Sequence, residues 1–245
     1  LSIPVEICIN SLNPDYVYRS VAAAYDGGAS RIELCGDMSV GGVTPDLTHL
    51  EAAREAFRDR PGLLCMIRPR GGDFAFGSEE VLLMEKQISD AAKAGADGVV
   101  IGALQLPGNT INRDVLGRLV DTAKTRNLSV TFHRALDATP NVFESLEVLI
   151  QYGVDRILSS GTAWGSADGA FEGVKMLEQL MLRADKKLEL VVGGGVVPDN
   201  IRKILDQLPV ENHPVSVHAY SSVLEGGEVS VERVRSLCQS VEAFQ

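Results

Sequence analysis

The residues best placed to do chemistry sit where apolar runs end. Arg68, Arg70 and Asp73 fall within six consecutive positions around the break Gly71-Gly72, after the apolar run Leu63 to Ile67 and before Ser78 opens a helix. Two guanidinium groups beside a carboxylate suit directional binding of an anion; a salt-bridged surface turn is the plainer alternative. A second polar ending is Thr131-Phe132-His133-Arg134-Ala135-Leu136-Asp137. His133 is read as a group that exchanges a proton near neutral pH, with Arg134 and Asp137 setting its charge and orientation. Glu33 or Asp73 is expected to orient it further.

Period-two alternation puts Glu6, Cys8 and Asn10 on one side of the first apolar run and Arg31, Glu33 and Cys35 on one side of the second. Val5, Ile7, Ile9, Ile32 and Leu34 take the other side, so both glutamates and both cysteines should point inward. A carboxylate in low dielectric is costly without a cation or hydrogen bonds. Arg31, Arg68, Arg70 and Arg134 are the available partners, and Glu6 reads equally as part of a buried ionic plug. Cys8 and Cys35 on neighbouring strands could bring two thiolates within reach of one two-coordinate ion, and soft sulfur selects monovalent copper. Small buried cysteines are also ordinary core residues. The chain has no His-x-His or His-Glu-x-x-His pair that would suggest a hydrolytic zinc site.

Three small-residue endings could expose backbone amides to an anion: Ser159-Ser160-Gly161, Gly193-Gly194-Gly195 and the stretch around Ala219-Tyr220-Ser221. Such runs also serve simply as tight strand exits.

The elements that must position these groups recur at intervals of roughly thirty residues, an apolar strand and then a helical pattern. The helices are expected to open near Pro14, Thr44-Pro45, Ser78, Asn112, Thr139, Asp168, Pro198 and Ser230, with the eighth strand over Pro214 to Val217. Eight βα units predict a single (β/α)8 barrel over residues 1–245, with its active face at the C-terminal ends of the strands. An open dinucleotide-binding sheet is disfavoured because CINSLNPD follows the first strand, without the Gly-x-Gly-x-x-Gly turn; no nucleotide cofactor is expected.

The formal net charge of −10 opposes binding to nucleic acid or to an anionic membrane. No apolar run is long enough to span a bilayer. Four cysteines without CxxC spacing suit a reducing, cytoplasmic setting.

Taken together, VEICINS, GGASRIELCGDMSVGGVTP, MIRPRGGDF, GADGVVIGAL, VTFHRALD, DRILSSG and GGG resemble the CutC copper-homeostasis family across nearly the whole chain. The resemblance implies a (β/α)8 barrel, a homodimer, and Cys8 and Cys35 as thiolates for Cu(I). It implies a polar pocket of Glu33, Arg68, Arg70, Asp73, His133, Arg134 and Asp137, rimmed by Ser160, Gly161, Gly194 and Gly195. The chain departs from the family pattern after strand eight, where His218-Ala219-Tyr220-Ser221-Ser222 replaces the usual His-Cys-Ser-Ala-Arg. It departs again at Val191-Val192, where Met-Pro is usual. His218 is retained as a ligand-binding candidate. Three functions are therefore weighed: monovalent-copper binding; an enzyme acting on a small anionic or phosphorylated metabolite with His133 as acid/base; and a structural or interaction protein that keeps a polar barrel core.

Overall fold

A computed structural model describes residues 2–244. Its eight parallel barrel strands are β1 (Val5–Asn10), β2 (Arg31–Cys35), β3 (Leu63–Met66), β4 (Gly98–Ile101), β5 (Ser129–Phe132), β6 (Arg156–Ser159), β7 (Glu189–Val192) and β8 (Val215–Ala219). Each pairs with its sequence neighbours, and β8 closes on β1 with Val217 opposite Val5 and His218 opposite Glu6. The barrel is therefore a closed sheet without edges, as the repeated βα pattern predicts.

Eight helices surround it: α1 (Pro14–Asp26), α2 (Leu47–Phe57), α3 (Ser78–Lys93), α4 (Arg113–Lys124), α5 (Val142–Gln151), α6 (Val174–Ala184), α7 (Pro198–Leu205) and α8 (Val231–Glu242). Local chemistry sets their starts. The Asn13, Asn112 and Ser230 side chains accept from the backbone N–H groups of Tyr16, Val115 and Arg233, and Pro14 and Pro198 occupy first turns. Several expected boundaries move, among them the start of α5, at Val142 rather than near Thr139. Helix α2 starts after Asp46, two residues beyond Pro45; α6 starts at Val174, which frees residues 161–173 as a loop; and β8 runs on through His218 to Ala219.

Side-chain alternation divides the interior in two. Ile7, Ile9, Ile32, Leu34, Cys65 and Val99 pack outward against the helices, whereas Cys8, Cys35, Leu64, Met66 and Val100 form a separate cluster inside the barrel. Below that cluster lies an ionic plug. Arg31 donates to Glu6 Oε2 at 2.9 Å and to Glu189 Oε1 at 2.7 Å, and Arg156 donates to Thr131 Oγ1 at 3.0 Å. Glu6 is fully buried, and burial raises its pKa even though the Arg31 charge opposes the rise. The structural alternative considered for Glu6 is thus what the barrel contains.

Candidate active site at the mouth of the barrel

Above the plug, at the C-terminal ends of the strands, a cavity of about 200 Å3 has a polar floor of Cys8, Glu33, Cys35, His133 and His218. Met38, Met66, Phe74, Leu158 and Trp164 form its apolar walls. Register explains the floor: β1 and β2 pair with Cys8 opposite Glu33, and β8 brings His218 to β1. The inward alternation of β5 extends through Thr131 to His133.

Glu33 pairs with His218, whose Nε2 lies 3.1 Å from Glu33 Oε1. The Cys35 thiol donates to the same oxygen at 3.3 Å. Burial pushes the Glu33 carboxyl up, but the His218 charge and hydrogen bond together with the Cys35 thiol outweigh it, and the net shift is downward. For His218, burial acts downward and the Glu33 carboxylate prevails, holding the imidazole well above its usual range. The pair is thus a carboxylate and an imidazolium at neutral pH. Glu33 Oε2 is buried and has no partner among the described residues.

His133 is the opposite kind of histidine. Burial, reinforced by the Arg68 charge, lowers its pKa to about 3. The Ala135 N–H donates to its Nδ1 at 3.0 Å, so the ring proton sits on Nε2, which is buried without a protein acceptor. Gly102 lies against the ring so closely that a Cβ there would stand 2.2 Å from Cε1, and the Phe74 centroid is 5.1 Å away. His133, expected to act as acid/base, is in the folded protein a neutral imidazole of fixed tautomer whose Nε2–H is a hydrogen-bond donor. Neither Glu33 nor Asp73 orients it; the Ala135 backbone does.

The arginines divide by what their donors already hold. Arg68 is buried, with Nη1 donating to the carbonyls of Val40 and Gly42 and Nη2 to that of Gly72. It staples the loops after β2 and β3, while its buried Nε has no partner among the described residues. Arg70 donates to Glu80 Oε1 at 2.6 Å and Asp73 Oδ1 at 3.1 Å on the half-exposed rim. Arg70 and Asp73 are therefore outside the cavity, contrary to their expected places in one pocket.

Asp137 accepts from Arg134 Nε at 2.7 Å, from Ser159 Oγ at 2.5 Å and from the Ser160 N–H at 3.2 Å. Asp137, expected to be catalytic, is thus held by Arg134, Ser159 and Ser160. Arg134 Nη2 donates to Ser160 Oγ at 2.7 Å, while Nη1 has no protein acceptor among the described residues and faces Gly194.

Ser160 thus belongs to this network, and Gly161 serves packing, since a Cβ there would meet the Gly173 carbonyl oxygen at 2.2 Å. Gly194 and Gly195, at φ +99° and +66°, line a neighbouring cavity of about 340 Å3 that shares Arg134, Leu158 and His218 with the inner one. A larger cavity, about 660 Å3 between Gln105 and Gln151, brings none of these groups together.

Cys8 Sγ lies 3.9 Å from Cys35 Sγ and 3.9 Å from Met38 Sδ, and one ligand atom each from Cys8, Glu33 and His218 lies within 4.8 Å of the others. These residues could hold a metal ion. The Cys35 thiol is pushed well above its usual range, first by its hydrogen bond with Cys8 and then by burial, so a metal would have to displace its proton. Met38, Phe74 and Trp164 were not singled out by the sequence. A methionine three residues beyond Cys35 and the protein's one tryptophan are the signals that could have found two of them.

The comparisons agree with the motifs. The model of the CutC family matches residues 3–219. A family protein CutC of Bacteroides fragilis is 39% identical over 229 residues, covering 94% of this chain and 85% of that protein. Among solved structures, the putative copper homeostasis protein CutC from Streptococcus agalactiae superposes with a TM-score of 0.75 at 29% identity, covering 88% of this chain and 98% of that one. A structure titled native KDPGal, at 15% identity and a TM-score of 0.66, covers 100% of this chain and 97% of its own and shares the fold alone. With its family model matched over nearly its whole length, this chain belongs to the CutC family.

Proposed function

We propose that the protein is an enzyme that moves a proton on a small anionic metabolite held above Glu33 and His133. The observation that carries this reading is a set of three buried atoms, on residues lining one cavity, that have no partner among the described residues: Glu33 Oε2, an acceptor, and His133 Nε2 and Arg68 Nε, both donors. Each such atom costs about 1–3 kcal/mol when left unmade. A ligand that offers a donor to Glu33 and acceptors to His133 and Arg68 removes these costs. Arg134 Nη1 and the adjoining cavity beside Gly194 and Gly195 give an anionic substituent its place. Incubation with small-metabolite extracts, followed by mass spectrometry, should show an anion depleted by the native protein and not by a denatured control. Neither retention nor depletion of any compound would overturn the reading.

Monovalent copper is the second reading, favoured by the sulfur cluster. Two thiolates on opposite sides of one ion would stand about 4.6 Å apart with bonds near 2.3 Å, whereas Cys8 and Cys35 are 3.9 Å apart and Met38 supplies a third sulfur. The donor set fits a soft ion, and its spacing favours three sulfurs over the two-coordinate pair expected from sequence. A disulfide suits the pair less well, because Cys35 is in register with Asn10 and not with Cys8, placing the two Cα atoms ~8 Å apart. Anaerobic titration with Cu(I) should give one bound ion, lost when Cys8 and Cys35 are both replaced by serine. Unchanged binding in that variant would exclude the cluster.

The reading takes the chain as a cytoplasmic homodimer, its four cysteines free and suited to a reducing compartment. No helix among the described residues is long and apolar enough to cross a membrane. Light scattering that stays at the single-chain mass of 26.3 kDa at every concentration would contradict the dimer.

A further inference from the structure

We propose that the substrate is a carbonyl compound and that the reaction passes through its enolate, with Glu33 Oε2 taking the proton from the adjacent carbon and His133 Nε2–H holding the oxygen. This deepens the proton-transfer reading and rests on it. In the step, the C–H bond breaks, its electron pair becomes the carbon–carbon double bond, and the carbonyl π pair moves onto oxygen. The proton goes to Glu33 and returns to the same carbon or, where that carbon bears a hydroxyl whose proton passes to the first oxygen, to the former carbonyl carbon, so no oxidant, reductant or co-reactant is needed.

The argument starts from what each group is unable to do. His133 has Nδ1 occupied by the Ala135 N–H at 3.0 Å, and Gly102 and Phe74 confine the ring, so Nε2–H remains a donor throughout. A donor of fixed direction in a buried site is most useful to an oxygen that gains negative charge as the reaction proceeds. Glu33 is the complementary group: Oε1 is held by His218 and Cys35, whereas Oε2 is buried, unpartnered and able to accept. A carboxylate acceptor opposite a neutral imidazole donor is the division of labour that enolisation requires.

Competing chemistries fit less well. Phosphoryl transfer needs a cationic clamp, yet both Arg68 Nη atoms donate to backbone carbonyls, which leaves its single buried Nε–H, and Arg70 holds Glu80 and Asp73. Arg134, which lines both cavities, has Nη1 toward Gly194, where it can hold an anionic substituent away from the reacting carbon.

The test runs the extract incubation in D2O and adds phosphoglycolohydroxamate, a planar anionic enolate mimic, as a binding probe. Its binding is read from the fluorescence of Trp164, the one tryptophan in the sequence, which lines the cavity. The turned-over compound should carry deuterium on the carbon next to its carbonyl. Binding of the hydroxamate should fall at least ~10-fold in His133→Phe, which keeps a ring without the donor, and recover in His133→Gln, which restores an N–H.

Internal return of the proton would hide the label, and donor-dependent hydroxamate binding then decides for the enolate. Product without carbon-bound deuterium, together with equal hydroxamate binding by wild type and His133→Phe, would overturn the enolate while leaving proton transfer standing. If no compound is consumed and no probe binds, the parent reading falls with it.

Discussion

Replacing Arg31 by methionine is expected to destabilise the fold by about 3–5 kcal/mol, because it leaves buried carboxylates without their cation. Arg31 reaches Glu6, Glu189 and the Ser216 hydroxyl from beneath the active cavity, and Glu6 Oε1 already has no partner. Glu6 can escape part of the cost by taking up a proton, which its raised pKa makes easier. The loss should therefore be larger at pH 8 than at pH 5. The double variant Arg31→Met, Glu6→Gln should cost less than the sum of the single changes. Urea unfolding measures all three proteins, and a loss under about 1 kcal/mol in Arg31→Met would mean that the plug does not hold the barrel.

A second large effect should appear on acidification. The His133 pKa is about 3 in the folded protein against about 6.5 in an unfolded chain. The unfolded chain binds the proton first, so the group lowers stability progressively as pH falls below about 6.5, down to its folded value. By pH 3.5 the cost is roughly 4 kcal/mol, from three pH units at 1.36 kcal/mol each. His133→Gln lacks this titration, so its stability relative to wild type should improve by about that amount between pH 7.5 and 3.5.

The other titrations, including those of the Glu33 and His218 pair, are largely shared by both proteins and cancel in the difference. The pair's own contribution has the opposite limits. The raised pKa of His218 gives stability that is lost as pH rises through its folded value; the lowered pKa of Glu33 gives stability that is lost as pH falls through its own. Parallel stability curves for wild type and His133→Gln would contradict the burial of a neutral His133.

What was legible in the sequence follows the period-two rule. Glu6, Cys8, Arg31, Glu33, Cys35 and His133 face inward because aliphatic neighbours claim the outer side of each strand, and the barrel follows from eight repeats. Where alternation stops, the sequence ceases to specify direction. Strand β8 runs two residues farther than its apolar pattern, and that extension turns His218 from a loop residue into the partner of Glu33. Arg68 points inward as expected, but its length lets it reach the carbonyls of two loops whose paths no periodicity encodes. Arg70 and Asp73 satisfy each other locally on the rim, and Asp137 is saturated by residues that close on it only after β6 has paired with its neighbours. Trp164 reaches the cavity from a stretch whose neighbours from Asp168 onward read as the start of a helix.

The central claim, that the cavity above Glu33 carries out proton transfer on a small anion, is tested most directly by Glu33→Gln assayed on the compound that wild type consumes. Glutamine keeps the side-chain shape but cannot take a proton, so turnover should fall by about 10²–10⁴-fold. The dissociation constant, read from Trp164 fluorescence, should change by no more than a few-fold. Undiminished turnover in Glu33→Gln would contradict the account, as would a loss confined to binding.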